Sequence, residues 1–369
     1  MAPPGFSVPK KCVVTGGSGL CGQRLVEMLV ERGASYVVSF DLAPKPKGAM
    51  ESKCIKYVQG DLCDYKSVKE SCKGVECVFH IAALVGPYFP ADAYVRVNYE
   101  GTANVLKACE ELGIKRIVMS SSPSTRFPYP DPNVNGFSEQ DLFEINKGDF
   151  APVFLQPYAE TKAMGEKLVR DACGSKEGDL LTIAVAPHQV YGPRDNLFLP
   201  SLLATAKTGK LRIFGDGSNI ISFCHVDNYC HGLILGEEAL YEGSPALGKF
   251  YVVTDGPPQK FWSVLDQAVI AMGFVSLWSK FKLPEGFMMV LAHLVVFFGN
   301  CYAAITGTPK HEVNKKLRLN PFAVKMLIIN RYFDITAAEN DLKYKPVVNF
   351  EEGWADTIDW FRENWLPTA

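Results

Sequence analysis

The sequence predicts an α/β fold, in which helices cover both faces of a doubly wound parallel sheet and a smaller C-terminal lobe follows. Strand and helix patterns alternate through the first half of the chain, and a glycine-rich turn joins the first strand to the first helix. After residue 195 the alternation loosens. We therefore expect residues 1–9 to form a disordered lead-in, residues 10–195 a dinucleotide-binding domain, and residues 196–369 a substrate lobe.

The individual elements follow from the spacing of the apolar residues. Apolar positions at helical spacing predict helices, and short runs rich in β-branched residues predict strands. In chain order these are strand Lys11–Thr15, helix Leu20–Arg32, strand Tyr36–Phe40, strand Ile55–Val58, helix Tyr65–Cys72, strand Glu76–His80, helix Ala93–Leu112, strand Arg116–Ser120, helix Tyr158–Ala172 and strand Leu181–Val185. The segment Phe127–Pro157 lacks such periodicity, and an irregular loop of that length beside a catalytic segment is usually functional.

The composition excludes several classes of function. The net charge is −2 and there is no block of Lys or Arg, so nucleic acid is not an expected partner. Eleven cysteines occur without a CxxC pair, which suits a reducing compartment rather than a disulfide framework. The six histidines do not cluster with cysteines at ligand spacing, so no metal site is expected. The N-terminus lacks the apolar core of a secretory signal peptide.

The glycine-rich turn is the first motif with a chemical meaning. Gly17, Gly19 and Gly22 match the dinucleotide fingerprint, with Gly16 directly before them, a strand upstream and a helix downstream. Glycines permit a tight turn and let backbone amides approach a pyrophosphate at the helix N-terminus. We therefore expect Gly16, Gly19 and Gly22 to contact a dinucleotide.

An acidic residue after the second strand indicates which dinucleotide is bound. Asp41 lies near the expected spacing for a carboxylate that binds the adenosine ribose. Its charge would repel a 2′-phosphate and favours NAD, although Lys45 and Lys47 leave NADP open. Further cofactor contacts are expected where the third and fourth strands end, at Asp61, Leu62, Ala82 and Ala83.

A tyrosine and a lysine on one helix face form the second motif. Tyr158 and Lys162 are four residues apart, so their side chains lie one turn apart on the same face. A free phenol with a pKa of ~10 is a poor base at neutral pH. The Lys162 ammonium and an oxidised nicotinamide would favour the phenolate, which could take the proton of an alcohol. Ser122, after the fifth strand, could hydrogen-bond the substrate oxygen.

These motifs together resemble the extended short-chain dehydrogenases/reductases, whose fold is of the Rossmann type. Finer features are similar to the 3β-hydroxysteroid dehydrogenase branch, including its decarboxylating sterol-4α-carboxylate 3-dehydrogenases. The similar stretches are Thr15–Gly22, Asp61-Leu62, His80–Ala83, Val97–Thr102, Ser120–Ser122, Tyr158…Lys162, Ala186–Asp195, Gly215–Asn219, Phe223–Asn228, Tyr332–Thr336 and Leu342–Pro346. The resemblance therefore extends over nearly the whole chain.

The resemblance implies roles for individual residues. It makes Tyr158 and Lys162 the catalytic pair. Ser122 is the implied partner serine, with Ser121 as the neighbouring serine one position before it. Asn98 is the implied helix residue that helps to place the lysine. The implied reaction is NAD-dependent oxidation of the 3β-hydroxyl of a C4-carboxylated sterol, followed by loss of CO₂, in sterol biosynthesis.

Two departures from the family pattern leave the identity of the sterol open. Ala186 stands where the family usually has Arg before Pro-His, and Pro123–Phe127 lacks the usual apolar continuation of the strand.

Three alternatives remain open at this point. A 3β-hydroxysteroid dehydrogenase/Δ5-isomerase would need a second acid/base group, and a nucleotide-sugar epimerase or reductase would share the catalytic residues. A protein that only senses NAD would have no need of both Tyr158 and Lys162. A homodimer is compatible with the sequence but is not indicated by a particular residue.

An apolar segment at about residues 286–308 predicts contact with a membrane. No charged residue occurs between Glu285 and Lys310, and the segment is long enough to span a bilayer. If the chain after it packs with the substrate lobe, both flanks lie on one side of the membrane. We therefore expect a monotopic insertion on the cytoplasmic face of the endoplasmic reticulum or on lipid droplets. The alternative is a buried helix pair that covers the pocket.

Overall fold

The computed structural model describes residues 8–86, 89–127, 132–142, 154, 156–174, 179–317 and 319–369. Most of the predicted loop Phe127–Pro157 lies outside these residues, as do residues 1–7 of the predicted lead-in. Val8, which we assigned to the lead-in, is buried in the core beside the first strand.

The described residues contain thirteen strands. They are β1 (Lys11–Thr15), β2 (Tyr36–Asp41), β3 (Ile55–Gln59), β4 (Cys77–His80), β5 (Arg116–Ser120), β6 (Val134–Phe137), β7 (Leu181–Pro187), β8 (Val190–Tyr191), β9 (Ile220–Ile221), β10 (Cys224–His225), β11 (Phe250–Val253), β12 (Gln259–Lys260) and β13 (Arg331–Phe333).

The α-helices in the described residues alternate with these strands. They are α1 (Leu20–Glu31), α2 (Tyr65–Ser71), α3 (Ala91–Tyr94), α4 (Gly101–Leu112), α5 (Pro157–Asp171), α6 (Leu199–Lys207), α7 (Val226–Glu238), α8 (Phe261–Ala271), α9 (Glu285–Thr306), α10 (Lys310–Leu317), α11 (Pro321–Met326), α12 (Thr336–Asp341) and α13 (Phe350–Trp360). Segments Val95–Glu100 and Phe361–Trp365 are π-helical, and Pro123–Arg126, Leu277–Ser279 and Leu366–Thr368 are 3₁₀-helical.

A seven-stranded parallel sheet forms the centre of the molecule, in the order β3-β2-β1-β4-β5-β7-β11. The inner strands are buried over nearly their whole length, because helices cover both faces and leave no solvent-facing side. The strand order reverses between β1 and β4, and ligands bind at the carboxyl ends of the strands at such a point. The predicted doubly wound α/β fold is confirmed.

One predicted helix is interrupted. The segment predicted as helix Ala93–Leu112 consists of α3, the π segment Val95–Glu100 and α4. Hydrophobic periodicity does not reveal the extra residue of a π turn, which is common at functional sites. This turn contains Asn98, whose carbonyl accepts a hydrogen bond from Thr102 Oγ1 at 2.7 Å.

The two predicted domains interleave instead of meeting at residue 195. Strand β11 pairs with β7 at the edge of the large sheet, and α7 packs against α1 on one face. Conversely, β6 leaves the first part of the chain to join a four-stranded sheet in the order β12-β9-β13-β6. The physical reason is burial, since β11 and α7 cover an edge and a face of the large sheet that would otherwise be exposed.

The smaller lobe has its own aromatic core. Tyr191, Phe223, Phe350 and Trp354 are buried together, and the rings of Phe350 and Trp354 stack at 5.9 Å and 13°. This core supports the four-stranded sheet and so places β13 beside the carboxyl edge of the large sheet.

Helix α9 is the one described helix that is long and apolar enough to cross a membrane, with 22 residues. Its buried residues form a single stripe, Met288, Ala292, Gly299 and Ala303, which packs against α10 and α11. The opposite face is exposed, with Phe298 64% and Val290 61% accessible. In this structure, therefore, the segment does not form a buried helix pair over a pocket.

Candidate active site

The glycine turn leaves no space for side chains at Gly16 and Gly22. Gly16 has a φ of +75°, and a Cβ on Gly22 would lie 2.0 Å from the Gly16 carbonyl oxygen. Helix α1 begins after Gly19 without a side-chain cap, so its first amides are directed to the space beyond the turn. A helix N-terminus of this kind binds anionic groups such as phosphate. The turn therefore fits the pyrophosphate of a dinucleotide.

Asp41 lies directly beside this turn. Its carboxylate accepts hydrogen bonds from the backbone N–H groups of Ser18, at 2.9 Å, and Ala43, at 2.8 Å. Lys45, which could have favoured a 2′-phosphate, forms an ion pair with Glu51. The arrangement presents a carboxylate at the end of β2 and so fits a ribose diol better than a phosphate.

The other predicted cofactor residues border the same cleft. The Asp61 carboxylate accepts the N–H of Cys63 at 2.8 Å, and Leu62 is buried. The Ala82 amide donates to Thr15 Oγ1 at 3.3 Å, and a Cβ on Gly16 would lie 2.8 Å from the same amide nitrogen. The half-buried Ala83 follows. The small residues after β4 thus let the chain pass close to the glycine turn.

His80 is a residue of the site to which the sequence analysis assigned no role beyond its place in the stretch His80–Ala83. Its Nδ1 lies 2.8 Å from Thr15 Oγ1, and its Nε2 lies 2.9 Å from Thr102 Oγ1. Because Thr102 donates its proton to the Asn98 carbonyl, it accepts from Nε2–H, and Nδ1 then accepts from Thr15. Burial lowers the His80 pKa to about 3, so the ring is neutral. His80 thereby connects β1 to the first turn of α4.

The Asn98 side chain forms hydrogen bonds with two segments, the loop after β4 and helix α5. Its Oδ1 accepts the N–H of Leu84 at 2.8 Å, and its Nδ2 donates to Thr161 Oγ1 at 3.3 Å. A Cβ on Gly165 would lie 2.3 Å from the Asn98 carbonyl oxygen, so helix α5 approaches this turn as closely as only glycine permits. Asn98 therefore fixes the position of the helix that includes Lys162.

Tyr158 lies in the first turn of α5 and is half-buried. Burial raises its pKa to about 12, whereas a hydrogen bond with Ser122 acts in the opposite direction and favours the phenolate. Ser122 Oγ also lies 2.9 Å from Ser124 Oγ, and the Tyr94 ring meets the Tyr158 ring edge-on at 6.2 Å. Tyr158 and the predicted partner serine are thus adjacent.

Lys162 is buried one turn further along α5, with 2% of its surface accessible. Burial lowers its pKa to about 8, and the charge of Glu166 partly opposes this effect. Its positive charge also lowers the pKa of the buried His80. A buried ammonium at this position favours negative charge nearby.

The structure also decides between the two neighbouring serines. Ser121 Oγ donates to Glu166 Oε2 at 2.5 Å, and the same carboxylate forms a buried ion pair with Arg126. Ser121 thus belongs to a buried cluster with Arg126 and Glu166 of helix α5, whereas Ser122 acts on the pKa of Tyr158. Successive side chains in extended chain point to opposite sides, so only one of the two serines can face the phenol.

Metal ligands are not assembled in the described part of the chain. No group of three or more His, Cys, Asp or Glu side chains there could hold a metal ion. The eleven cysteines are free thiols, ten of them buried or half-buried.

Comparison with known proteins identifies the family. Residues 13–284 match the model of the 3-beta hydroxysteroid dehydrogenase/isomerase family. The Arabidopsis thaliana protein "3beta-hydroxysteroid-dehydrogenase/decarboxylase isoform 2" is 35% identical over 98% of this chain, which spans 64% of that relative. The Mus musculus "Sterol-4-alpha-carboxylate 3-dehydrogenase, decarboxylating" is 30% identical over 96% of this chain and 92% of its own. The family predicted from the sequence is confirmed.

A bacterial relative and two solved structures extend the comparison. The "2-alkyl-3-oxoalkanoate reductase" of Stenotrophomonas maltophilia is 31% identical over 93% of this chain and 97% of its own. An epimerase of Methanothermobacter thermautotrophicus has a TM-score of 0.69 at 21% identity, over 98% of this chain and 95% of its own. A dTDP-glucose 4,6-dehydratase of Streptomyces venezuelae, solved with NAD, has a TM-score of 0.68 at 20% identity. The match covers 96% of this chain and 97% of the dehydratase chain. These two structures show that the fold is shared.

The glycine turn leads to a prediction about the cofactor. Gly22→Ala should destabilise the ligand-free protein and abolish NAD binding, because its Cβ would overlap the Gly16 carbonyl. Gly19→Ala is the matched control: its Cβ would lie 3.5 Å from the same oxygen, so thermal unfolding should not change. NAD titration calorimetry should nevertheless show weaker binding to Gly19→Ala. Unchanged binding by this variant would mean that the cofactor does not approach Gly19.

The buried lysine leads to a prediction about pH. The pKa of Lys162 falls from 10.5 in the unfolded chain to about 8 in the folded protein. Between these two pH values the unfolded chain therefore binds more protons than the folded protein. Because of this difference, the stability of the wild type rises with pH over the same range. Lys162→Met should therefore stabilise the protein at about pH 7 by up to ~3 kcal/mol. This gain should shrink as pH rises to ~10, as urea unfolding would show. Lys167→Met is the control on the same helix, where the lysine is 26% accessible and pairs with Asp171, and its free energy of unfolding should change little. An equal loss of stability by Lys162→Met at both pH values would contradict the prediction.

Proposed function

This chain belongs to the 3-beta hydroxysteroid dehydrogenase/isomerase family, and from that premise we propose that it oxidises the 3β-hydroxyl of a 4α-carboxysterol with NAD, with loss of CO₂. The observation that carries the proposal is the position of Tyr158 in the first turn of α5, one helical turn before the buried Lys162, on the helix against which the segment that follows Ser122 packs. This group lies at the carboxyl edge of the sheet, beside a turn that fits a dinucleotide.

The residues present fit NAD. Gly16, Gly19 and Gly22 would face the pyrophosphate, and Asp41 would bind the adenosine ribose, while the adenine would rest near Asp61 and Leu62. Ala82 and Ala83 leave space beside the glycine turn. When bound, NAD supplies the acceptor for the hydride that leaves the carbinol carbon.

The side chains of the cleft perform the proton chemistry. Tyr158 Oη takes the proton of the 3-hydroxyl as the carbon–oxygen bond becomes a carbonyl. Ser122 donates a hydrogen bond to the same substrate oxygen and stabilises the charge that develops there. The Lys162 ammonium favours the phenolate form of Tyr158. Asn98 acts on this geometry only through helix α5, which it contacts at Thr161.

The names of the relatives share a chemical feature that supports the carboxylated substrate. Both a sterol-4α-carboxylate and a 2-alkyl-3-oxoalkanoate have an oxygen function on the carbon β to a carboxylate. Oxidation of such a sterol gives a 3-ketone β to the carboxylate. The bond from C4 to the carboxyl carbon then breaks, and its electron pair moves to the C3 oxygen. Hydrogen bonds from Tyr158 and Ser122 would stabilise this enolate.

Removal of the phenolic hydroxyl tests the enzyme. Tyr158→Phe should lower kcat by about 10²–10⁴-fold and leave the affinity for NAD unchanged, because the ring still fills its place against Tyr94. Tyr241→Phe, at an exposed position, is the control and should have no effect. NADH formation should be measured with a 4α-carboxysterol, a plain 3β-hydroxysteroid and a UDP-sugar.

The three substrates separate the alternatives. Turnover of the carboxysterol with CO₂ release supports the proposal, and turnover of the plain steroid alone favours a dehydrogenase/isomerase. Turnover of the UDP-sugar would favour a nucleotide-sugar enzyme. NAD binding without any turnover, and without a difference between Tyr158→Phe and wild type, would favour a protein that only senses NAD.

We further propose that α9 lies in the surface of a membrane, on the cytoplasmic face of the endoplasmic reticulum or on lipid droplets. The chain on both sides of α9 belongs to one lobe: Trp262 Nε1, from α8, donates to the Leu327 carbonyl at 3.1 Å. A helix that leaves and returns to the same lobe cannot separate its flanks across a bilayer. Exposed lysines of α10, which packs on α9, could contact anionic headgroups.

Polar substitution on the exposed face tests this proposal. The double variant Phe297→Ser/Phe298→Ser should bind phospholipid vesicles at least about 10-fold more weakly, because two exposed rings no longer enter the bilayer. Leu197→Ser, which is as exposed but lies far along the chain from α9, is the control and should bind as wild type. Vesicle co-sedimentation measures both. Recovery of the wild type in the supernatant would contradict the proposal.

A further inference from the structure

Glu166 is a buried carboxylate in the second half of helix α5, with 3% of its surface accessible. Its Oε2 accepts hydrogen bonds from Ser121 Oγ at 2.5 Å and from Thr125 Oγ1 at 3.4 Å. Its Oε1 forms an ion pair with Arg126, and Arg170 Nη1 lies 3.4 Å from the same oxygen. Each oxygen of the carboxylate thus has two partners, as a buried charge requires.

Three of these partners flank Ser122 in the chain. Ser121 precedes it, and Thr125 and Arg126 follow it in the 3₁₀ turn Pro123–Arg126. Thr125 also contacts Ser122 directly, because its backbone N–H and its Oγ1 both donate to the Ser122 carbonyl, at 3.1 Å and 2.7 Å. One carboxylate of α5 therefore holds the serine segment, residues 121–126, on both sides of Ser122.

Two arginines fix the direction of the Glu166 carboxylate. Arg126 stacks over the Phe250 ring at 4.1 Å, and Arg170 Nε donates to the Gly248 carbonyl at 2.8 Å. Both cations are thus held by the chain at β11, and both bind Oε1, so Oε2 is directed to the serine segment. Charge-assisted hydrogen bonds are shorter and stronger than neutral ones, so they hold a defined geometry.

The same contacts join the serine segment to the helix that contains the proposed catalytic pair. Tyr158, Lys162 and Glu166 follow one another at four-residue intervals, which places their side chains along one side of α5. Ser122 acts on the pKa of the Tyr158 phenol and favours the phenolate. The position of the serine hydroxyl relative to the phenol therefore depends on how the serine segment is held against α5.

We propose that Glu166 is a positioning residue for the reaction, because it holds the serine segment against the helix that presents Tyr158 and Lys162. This inference rests on the proposed function, in which Ser122 donates to the substrate oxygen and Tyr158 takes its proton. Glu166 contacts neither substrate nor cofactor in this scheme and acts through Ser122. Its removal should therefore lower kcat and change KM for NAD by less than about twofold.

A double-mutant cycle tests whether Glu166 acts through Ser122. Glu166→Leu retains much of the volume but no acceptor, and it should lower kcat for the 4α-carboxysterol by about 10–100-fold, since a small misplacement of a reacting group has an effect of this size. In the Ser122→Ala background the same change should lower kcat by less than about threefold, because the hydroxyl that it positions is already absent. Equal fold losses in the two backgrounds would mean that Glu166 is only structural and would overturn the proposal.

Three further variants control for hydrogen bonding, charge and folding. Glu166→Gln retains an acceptor for Ser121 and Thr125, so its kcat should lie between those of wild type and Glu166→Leu. Glu160→Gln removes an exposed carboxylate from the first turn of the same helix and should leave kcat unchanged. Arg126→Met/Glu166→Leu leaves no buried charge without its partner, so it should fold even if Glu166→Leu does not. Wild-type kcat in this folded double variant would overturn the proposal.

A crystal structure separates this inference from the proposed reaction. In Arg126→Met/Glu166→Leu with NAD, the Ser122 hydroxyl should lie about 1 Å or more from its wild-type position relative to the Tyr158 phenol. The measurement does not require turnover, so it decides the inference even if the wild type oxidises none of the three substrates. An unchanged serine segment would overturn the inference. Thermal unfolding and NAD titration verify that each variant is folded.

Discussion

The close approach of helix α5 to the π turn at Asn98 is the constraint from which the rest of the site follows. Only glycine fits at position 165, where a Cβ would lie 2.3 Å from the Asn98 carbonyl oxygen. This contact sets the distance of α5 from β4 and β5. The same helix presents Tyr158 to Ser122 on one side and buries Lys162 beside His80. A small shift of α5 would therefore separate the phenol, the ammonium and the serine together.

Two buried cations, Lys162 and Arg331, give the cleft its electrostatic character. Burial lowers the Lys162 pKa to about 8 and the Arg331 pKa to about 10, which reflects the cost of a charge removed from water. Arg126 avoids this cost through Glu166. The folded protein thus tolerates a buried ammonium at the place where the proposed reaction develops negative charge, the phenolate.

The small lobe connects this cleft to the proposed membrane surface. Helix α11 ends at Met326, whose carbonyl accepts a hydrogen bond from Arg331, and α11 packs on α9. A water-insoluble substrate that enters along the apolar face of α9 would thus meet α11, which contacts β13 through Arg331. The apolar helix and the polar site are parts of one lobe, which explains why the chain returns to it after residue 306.

Much of this protein could be predicted from the sequence, because the signals are local. Apolar periodicity predicted six of the seven strands of the large sheet, all but β11, and the glycine spacing predicted the turn. The four-residue spacing placed Tyr158 and Lys162 on one helix face. Only the tertiary structure decided that Ser121, of the two neighbouring serines, binds Glu166, and that His80 links two elements. Those relations join residues that are far apart in the chain, and their contacts depend on how close the packed elements come, which no local pattern encodes.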